Sequence, residues 1–530
     1  MSLEGVLDRL DIKRAVEIEL STRTRLMPPR WDRIALATQA DEVARWLLPQ
    51  YRKNRFGQSA QLVFVEKSRN GVRPISEFSV ADRVLYRALV SLIAENLPAY
   101  LVVRPAIADF YTAPLALDGA RYISKTDVTA YYEFVDHELL EIELLAQTGE
   151  APAIRALIDL LGKVMGRRVG IPQVHKSSDI LGDTYIDPVR RRMIRAGYDV
   201  FTYSDDFRIA SKTLAGARGA LEACATEVRG LGLVLNESKT FTYGVDKYRA
   251  SLTAFDVAER KLFEGEAAGL SMLQEDGYAD SEPEERAAGA DTGGGEPPRL
   301  GAADEDDAVA DNQDHEGPTT SISDQSLGDA AKRAWALWIE DYDTGDSQKH
   351  HEASITQSLF GKALPFLGSA GELQPLEHLS WILRREPALT PAIAKYLINL
   401  GATGQSARTS VRRALDELVA EPSFSMWQQM WLAEVAGGIV RSKNRPLYDW
   451  LRSCVESAHP PLAATASAAI GRLRIQEPEL LARALDRVGP VWRDLVMWGL
   501  AALDADKAEE FADDKLDRIL IAGASGMRRR

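Results

Sequence analysis

The sequence predicts an α+β portion followed by an all-α portion. Three observations carry this. Two short runs rich in β-branched and aromatic residues, around Tyr122–Tyr132 and Val200–Ala210, read as strands that carry aspartates. A stretch from about residue 274 to 326 is poor in large apolar residues and rich in acid, Gly and Pro. From Leu327 to Ile521, amphipathic blocks of roughly 12 to 16 residues recur between glycine and proline punctuation, as helices do.

The first 60 residues read as an N-terminal helical extension, with Trp31 and Trp46 as core candidates. Gln61-Leu62-Val63-Phe64-Val65 is a strand pattern, Arg69-Asn70-Gly71 is a tight turn, and Val72-Arg73-Pro74-Ile75 is the return strand. A helix follows from Ser79 to about Leu97, and Ser79-Val80-Ala81-Asp82 has the form of an N-terminal cap. Strands and helices then alternate to about residue 255. Residues 256–326 are expected to be an acidic disordered linker, since such a composition buries too little surface to offset chain entropy. Residues 327–530 hold eight of the ten tryptophans, which suits helix packing, and the paired-helix pattern suggests a short α-solenoid.

At 530 residues with 45% apolar content, the chain can build several cores. Its two cysteines, Cys224 and Cys454, offer neither a zinc spacing nor a disulfide framework, which fits a cytoplasmic location. The first residues carry no basic and apolar leader, and no apolar run reaches the roughly 18 residues of a membrane span. The net charge of −14 argues at first against a polyanionic partner. Its distribution reverses that reading. Between Glu275 and Glu316 stand 15 acidic residues and 2 arginines, whereas residues 1–250 hold 35 Lys and Arg against 32 Asp and Glu. The first half is therefore compatible with a phosphate backbone, with local clusters at Arg52-Lys53-Asn54-Arg55, Arg167-Arg168 and Arg190-Arg191-Arg192.

The chemistry centres on Tyr203-Ser204-Asp205-Asp206. Apolar runs on both sides place two adjacent carboxylates at the tip of a hairpin. Such a pair needs a compensating cation, and Mg²⁺ held by carboxylates and substrate phosphates is the natural one. Asp127, at the end of the upstream strand, adds a third acid, and Val128 is placed to lend its carbonyl. The set suggests two-metal nucleotidyl transfer. Tyr132, five residues after Asp127, is placed to close the floor of a nucleotide pocket, where its ring would clash with a ribose 2′-hydroxyl.

These residues stand in a wider pattern. Asp127-Val128-Thr129-Ala130-Tyr131-Tyr132-Glu133-Phe134-Val135-Asp136-His137 resembles the first palm motif of reverse transcriptases. Gly170-Ile171-Pro172-Gln173, continued by Ser177-Ser178-Asp179-Ile180-Leu181, resembles the second, and Tyr203-Ser204-Asp205-Asp206 the third. Gly232-Leu233-Val234-Leu235-Asn236-Glu237-Ser238-Lys239-Thr240 is similar to the fourth, and Gly71-Val72-Arg73-Pro74-Ile75 with Asp82-Arg83 matches the fingers. Val174-His175-Lys176 departs from the Gly-Ser-Pro usual after the second motif, and glycine there lets a template strand approach the backbone. Phe207-Arg208-Ile209 after the two aspartates, that departure and the helical C-terminal half resemble the bacterial abortive-infection and defence-associated reverse transcriptases.

The resemblance implies a right-hand polymerase with fingers and palm over residues 61–255 and a HEAT-like helical-repeat domain in place of a thumb. It implies that Asp127, Asp205 and Asp206 carry two Mg²⁺ ions, for which Mn²⁺ can substitute, with the Val128 carbonyl. Arg73 and Lys67 would hold the triphosphate, where a forked guanidinium suits phosphate oxygens. Gln173 would line the nucleotide or template pocket, and Lys239 would sit near the pyrophosphate. The implied activity is RNA-directed DNA polymerisation in antiphage defence, in some members without template and primed on a protein tyrosine. The implied partners are dNTPs, nucleic acid and further copies of the chain, with no membrane. Two alternatives stand beside it: a retron- or intron-like enzyme copying one specific RNA, and a non-catalytic nucleic-acid-binding defence protein.

Overall fold

A computed structural model describes residues 3–24, 26–67, 71–262, 324–343, 350–439 and 445–527. The Arg69-Asn70 turn and most of the expected acidic linker lie outside the described residues. The strands are β1 (Gln61–Glu66), β2 (Val72–Glu77), β3 (Tyr122–Asp127), β4 (Asp199–Tyr203), β5 (Asp206–Ser211) and β6 (Phe241–Gly244). β1 and β2 pair with each other, and the other four form one sheet in the order β4-β5-β3-β6. The protein is a mixed α+β structure with a helical C-terminal region. It divides into two compact units. One comprises Met1–Leu20, Ala40–Leu62 and Pro74–Thr253; the other comprises Ser21–Gln39, Val63–Arg73 and Ala254–Arg530.

The first unit is built on the four-stranded sheet. β3 runs antiparallel to β5 from Tyr122 opposite Ser211 to Asp127 opposite Asp206. It also runs antiparallel to β6, from Tyr122 opposite Gly244 to Lys125 opposite Phe241. β5 is central and buried almost throughout, whereas the edge strand β6 is mostly exposed. The helix Leu214–Gly230 packs on β5 and β3 through the small residues Ala217, Ala220 and Cys224. The helix Lys176–Arg195 packs on β4 and joins Val80–Ala94, Ala151–Met165 and His137–Thr148 in a helical layer. The Ser79 hydroxyl accepts from the Asp82 N–H and starts its helix as its sequence suggests. Asp136 accepts from the N–H groups of Glu138 and Leu139 and starts His137–Thr148, which Gly149 ends at φ 69°.

One helix contributes an acid to the core. In Ile12–Ser21 the buried positions are Ile12, Ala15, Val16, Glu19 and Leu20, a regular helical stripe with Glu19 inside it. The Glu19 carboxylate lies 3.0 Å from the Arg83 guanidinium and 3.3 Å from His175 Nε2, and it also pairs with Arg87.

The second unit is helical. Thr390–Thr403, Met426–Ile439, Pro460–Leu473, Pro490–Leu503 and Lys515–Met527 pack each on the next. The helices between them, Gln405–Val419, Arg445–Val455 and Pro478–Leu485, pack in a second row. Proline in the first turn starts several of them, where its missing N–H costs nothing. Trp335, Trp338, Trp427, Trp431, Trp492 and Trp498 are buried, as helix packing predicts. The helix Trp31–Ala37 also belongs here, packed on Pro490–Leu503 and Lys515–Met527. Trp31 and Trp46 are half-buried, not full core residues as the sequence suggested. The Trp31 ring stacks on Trp498 at 5.4 Å, and its indole N–H donates to Glu434 at 3.1 Å, so it needs a polar edge. Among the described residues no helix is long and apolar enough to cross a membrane.

Candidate active site

The antiparallel register sets Asp127, the last residue of β3, opposite Asp206, the first residue of β5. Tyr203 ends β4, so Ser204 and Asp205 form the tight connection. Ser204 turns the chain in the left-handed region at φ 52°, an unusual conformation for a residue with a β-carbon. Its N–H donates to Asp183 Oδ1 at 3.1 Å. The Val128 N–H donates to the Asp205 carbonyl at 3.1 Å, and the Asn236 N–H donates to the Asp127 carbonyl at 2.7 Å. Backbone hydrogen bonds thus join three sequence motifs around the acids.

Each outer acid has a basic neighbour. Lys239 Nζ lies 3.3 Å from Asp127 Oδ2, and Arg208 Nη1 donates to Asp206 Oδ1 at 3.2 Å. Arg208 is buried, with its guanidinium 5.0 Å from the Phe110 ring centre and 5.4 Å from that of Tyr111. Asp205 sits between the others. Burial, followed by the charges of Asp127 and Asp206, pushes its carboxyl well above the usual range. Burial also raises Asp127, against the pull of Lys239.

Tyr131 and Tyr132 divide their labour. Tyr131 is fully buried and its hydroxyl donates to the Gly182 carbonyl, so it is the core member of the pair. The Tyr132 hydroxyl donates to Asp179 Oδ1 at 2.9 Å and lies 3.0 Å from Ser204 Oγ, which brings it beside the carboxylate turn. Gln173 Nε2 donates to Glu133 Oε1 at 3.2 Å, and Arg167 pairs with the same carboxylate at 2.8 Å. The Gln173 amide is therefore held by its neighbours. Lys67 and Arg73 lie on the β1–β2 hairpin, in the segment that clusters with the second unit.

Three residues of these loops adopt positive φ without being glycine: Ala130 at 48°, Val174 at 59° and Ser204 at 52°. Val174 stands out, because β-branching makes this region costlier still. The acceptor that holds the Ser204 N–H, Asp183, is a residue the motifs did not single out. Arg104 Nε donates to Asp183 Oδ2 at 2.6 Å, and its Nη2 donates to the Asp179 carbonyl at 3.2 Å. The one sequence signal for this was the four-residue spacing of Asp179 and Asp183, which puts both on one helix face.

Asp127, Asp205 and Asp206 offer the hard oxygen donors that Mg²⁺ takes, and the upward push on the Asp205 carboxyl from burial and its two acidic neighbours marks a site crowded with negative charge. Among the described residues no group of three or more His, Cys, Asp or Glu is arranged so that it could hold a metal ion. The donor set fits an ion completed by other oxygens, as Mg²⁺ sites with substrate phosphates are.

Residues 65–250 match the family model for reverse transcriptase (RNA-dependent DNA polymerase). No curated protein matches the chain. Among solved structures the chain is similar to telomerase from Candida tropicalis, in complex with a fragment of telomeric RNA. That similarity has 11% identity and a TM-score of 0.28, and covers 71% of this chain and 64% of that one. The chain thus spans less than two thirds of that protein's length. The sheet, the carboxylate turn and the helices that hold them lie within residues 65–250, the part of this chain that matches the reverse transcriptase family model.

Proposed function

We propose that the protein is a Mg²⁺-dependent DNA polymerase that acts in antiphage defence of the abortive-infection kind. The observation that carries the polymerase reading is the register of β3 and β5, which sets Asp127 opposite Asp206 inside the matched domain. Asp127, Asp205 and Asp206 would hold the metal, with the Val128 carbonyl beside them. When bound, Mg²⁺ would neutralise phosphate charge and make the attacking hydroxyl more acidic. The protein's own work is positioning. Lys239 and Arg208 neutralise two of the acids in the resting site and orient them. Tyr132 would lie under the sugar and exclude a 2′-hydroxyl. Gln173, fixed by Glu133, would line the base-pair pocket, and Lys67 and Arg73 would receive the triphosphate. A primer hydroxyl oxygen attacks the α-phosphorus, a new P–O bond forms as the bond from the α-phosphorus to the bridging oxygen breaks, pyrophosphate leaves, and the hydroxyl proton passes to solvent.

The defence reading rests on the resemblance of the motifs and on Val174. A β-branched side chain stands where a glycine would admit a template strand, which favours synthesis without a conventional template, primed on a protein hydroxyl. The two rows of packed helices in the second unit support a HEAT-like array, which this reading takes as a surface for self-association. Incubation of the full chain with Mg²⁺ and labelled dNTPs tests this, with no nucleic acid, with primed RNA or with primed DNA. Label that migrates with protein and shifts on proteolysis is the expected result. Incorporation on primed RNA alone would replace the self-primed reading with that of a copying enzyme. No incorporation under any condition would overturn the polymerase reading.

A further inference from the structure

The acids of the helix Lys176–Arg195 connect two parts of the site that the motifs leave separate. Asp179 and Asp183 stand one helical turn apart and face the same way. Asp179 accepts from the Tyr132 hydroxyl at 2.9 Å. Asp183 accepts from the Ser204 N–H at 3.1 Å, at the residue that turns the chain into Asp205 and Asp206. Two carboxylates this close repel each other and need a shared cation. Arg104 supplies it. Its Nε lies 2.6 Å from Asp183 Oδ2, its Nη1 lies 3.5 Å from Asp179 Oδ1, and its guanidinium lies 5.2 Å from the Tyr203 ring centre. Arg104 therefore touches the residue before the turn and both acids that hold the turn and Tyr132.

We infer that Arg104 is a positioning residue that, through Asp183 and Asp179, fixes the carboxylate turn and the Tyr132 ring as one unit, and so sets both catalytic rate and sugar selectivity. The inference rests on the polymerase reading for its kinetic consequences. The clamp itself stands on the geometry alone. The left-handed backbone at Ser204 is disfavoured for a residue with a β-carbon, so the turn needs an external hold on its amide. Only a planar fork with several donors reaches both acids and the Asp179 carbonyl at once; a lysine ammonium is a single point charge. The two acids divide the output. Asp183 acts on Asp205 and Asp206 through Ser204, whereas Asp179 acts on the ring that would meet the sugar.

The test uses the full chain with Arg104→Met, Arg104→Lys, Asp179→Ala and Asp183→Ala. Asp179→Ala is expected to raise ribonucleotide use relative to deoxynucleotide use about tenfold. Asp183→Ala is expected to lower kcat by about 10²-fold with little change in KM, as for a misplaced reacting group. Arg104→Met is expected to do both. Hydrogen exchange of the peptide that contains Ser204 reads the clamp without any catalysis; Arg104→Met should speed it at least tenfold. Where Arg104→Met does not fold, Arg104→Lys replaces it and should give intermediate values. Unchanged exchange at Ser204 would overturn the clamp. An unchanged sugar ratio in an active Asp179→Ala protein would overturn the selectivity role. If the wild type incorporates neither nucleotide, the polymerase reading fails and the exchange result still decides the clamp.

Discussion

His175 Nε2 lies 3.3 Å from Glu19 Oε2, which ties the N-terminal helix to the loop that follows Gln173. His175 is buried, stacks on Phe78 and meets the edge of Tyr86. Its Nδ1 accepts from the Ser177 N–H at 3.2 Å and caps the helix Lys176–Arg195. That contact leaves Nδ1 without a proton, so Nε2 carries the hydrogen toward Glu19. Val174, held at φ 59°, is the residue just before it.

The histidine gives a pH dependence of stability. Burial is the largest cause that lowers His175, and the Arg83 and Arg87 charges add to it, to a value of about 4; Glu19 opposes. In the unfolded chain it takes up a proton near pH 6.5. Between those values the unfolded state binds more protons, so stability falls as pH falls. The slope is about 1.4 kcal/mol per pH unit for one group. Urea unfolding between pH 6.5 and 4.5 checks this, with His175→Asn, which keeps a capping side chain, expected to lose this part of the slope.

Glu19 is the only carboxylate that pairs with both Arg83 and Arg87 among the described contacts. Glu19→Ala leaves two buried arginines without it. The expected cost is about 3–5 kcal/mol, read as a lower urea midpoint with unchanged m-value.

Val174 predicts an unusual order of substitutions. Alanine keeps a β-carbon in the left-handed region and removes packing, whereas glycine relieves the strain. Val174→Gly should be more stable than Val174→Ala by about 1 kcal/mol in thermal unfolding. On the proposed reading, in which this β-carbon blocks a template strand, it should also raise incorporation on primed RNA.

In the second unit, Arg472 lies 2.6 Å from Glu434 and 4.4 Å from the Trp31 ring centre. Trp31→Ala removes the ring between Trp498 and Arg472 and the donor to Glu434. It should lower the stability of the helical unit by about 2–3 kcal/mol, less than for a fully buried tryptophan. Calorimetry should show this as a shift of that unit's transition.

The parts of the fold that were legible in the sequence are those encoded locally. The flanks of Tyr203-Ser204-Asp205-Asp206 gave a hairpin with its acids at the turn, and Ser79 and Asp82 gave a helix start. The apposition of Asp127 and Asp206 was suggested by chemistry, while its register came only from the sheet. Arg104 was silent, because its partners lie 79 and 75 residues away and no periodicity links them. Glu19 did leave a signal, an acid on the apolar stripe of its helix, which marks a buried cation elsewhere. The packing of Trp31 among distant helices left none, since an amphipathic face reports burial but not the partner.

The most direct measurement compares the wild type with Asp205→Asn and Asp206→Asn combined. Both proteins receive Mg²⁺ and labelled dNTPs, with and without primed RNA, after circular dichroism and thermal unfolding establish that each is folded. Incorporation by the wild type and its loss by at least 10³-fold in the folded double variant is the expected result. Undiminished incorporation by the folded double variant would contradict the assignment of these carboxylates as the catalytic centre.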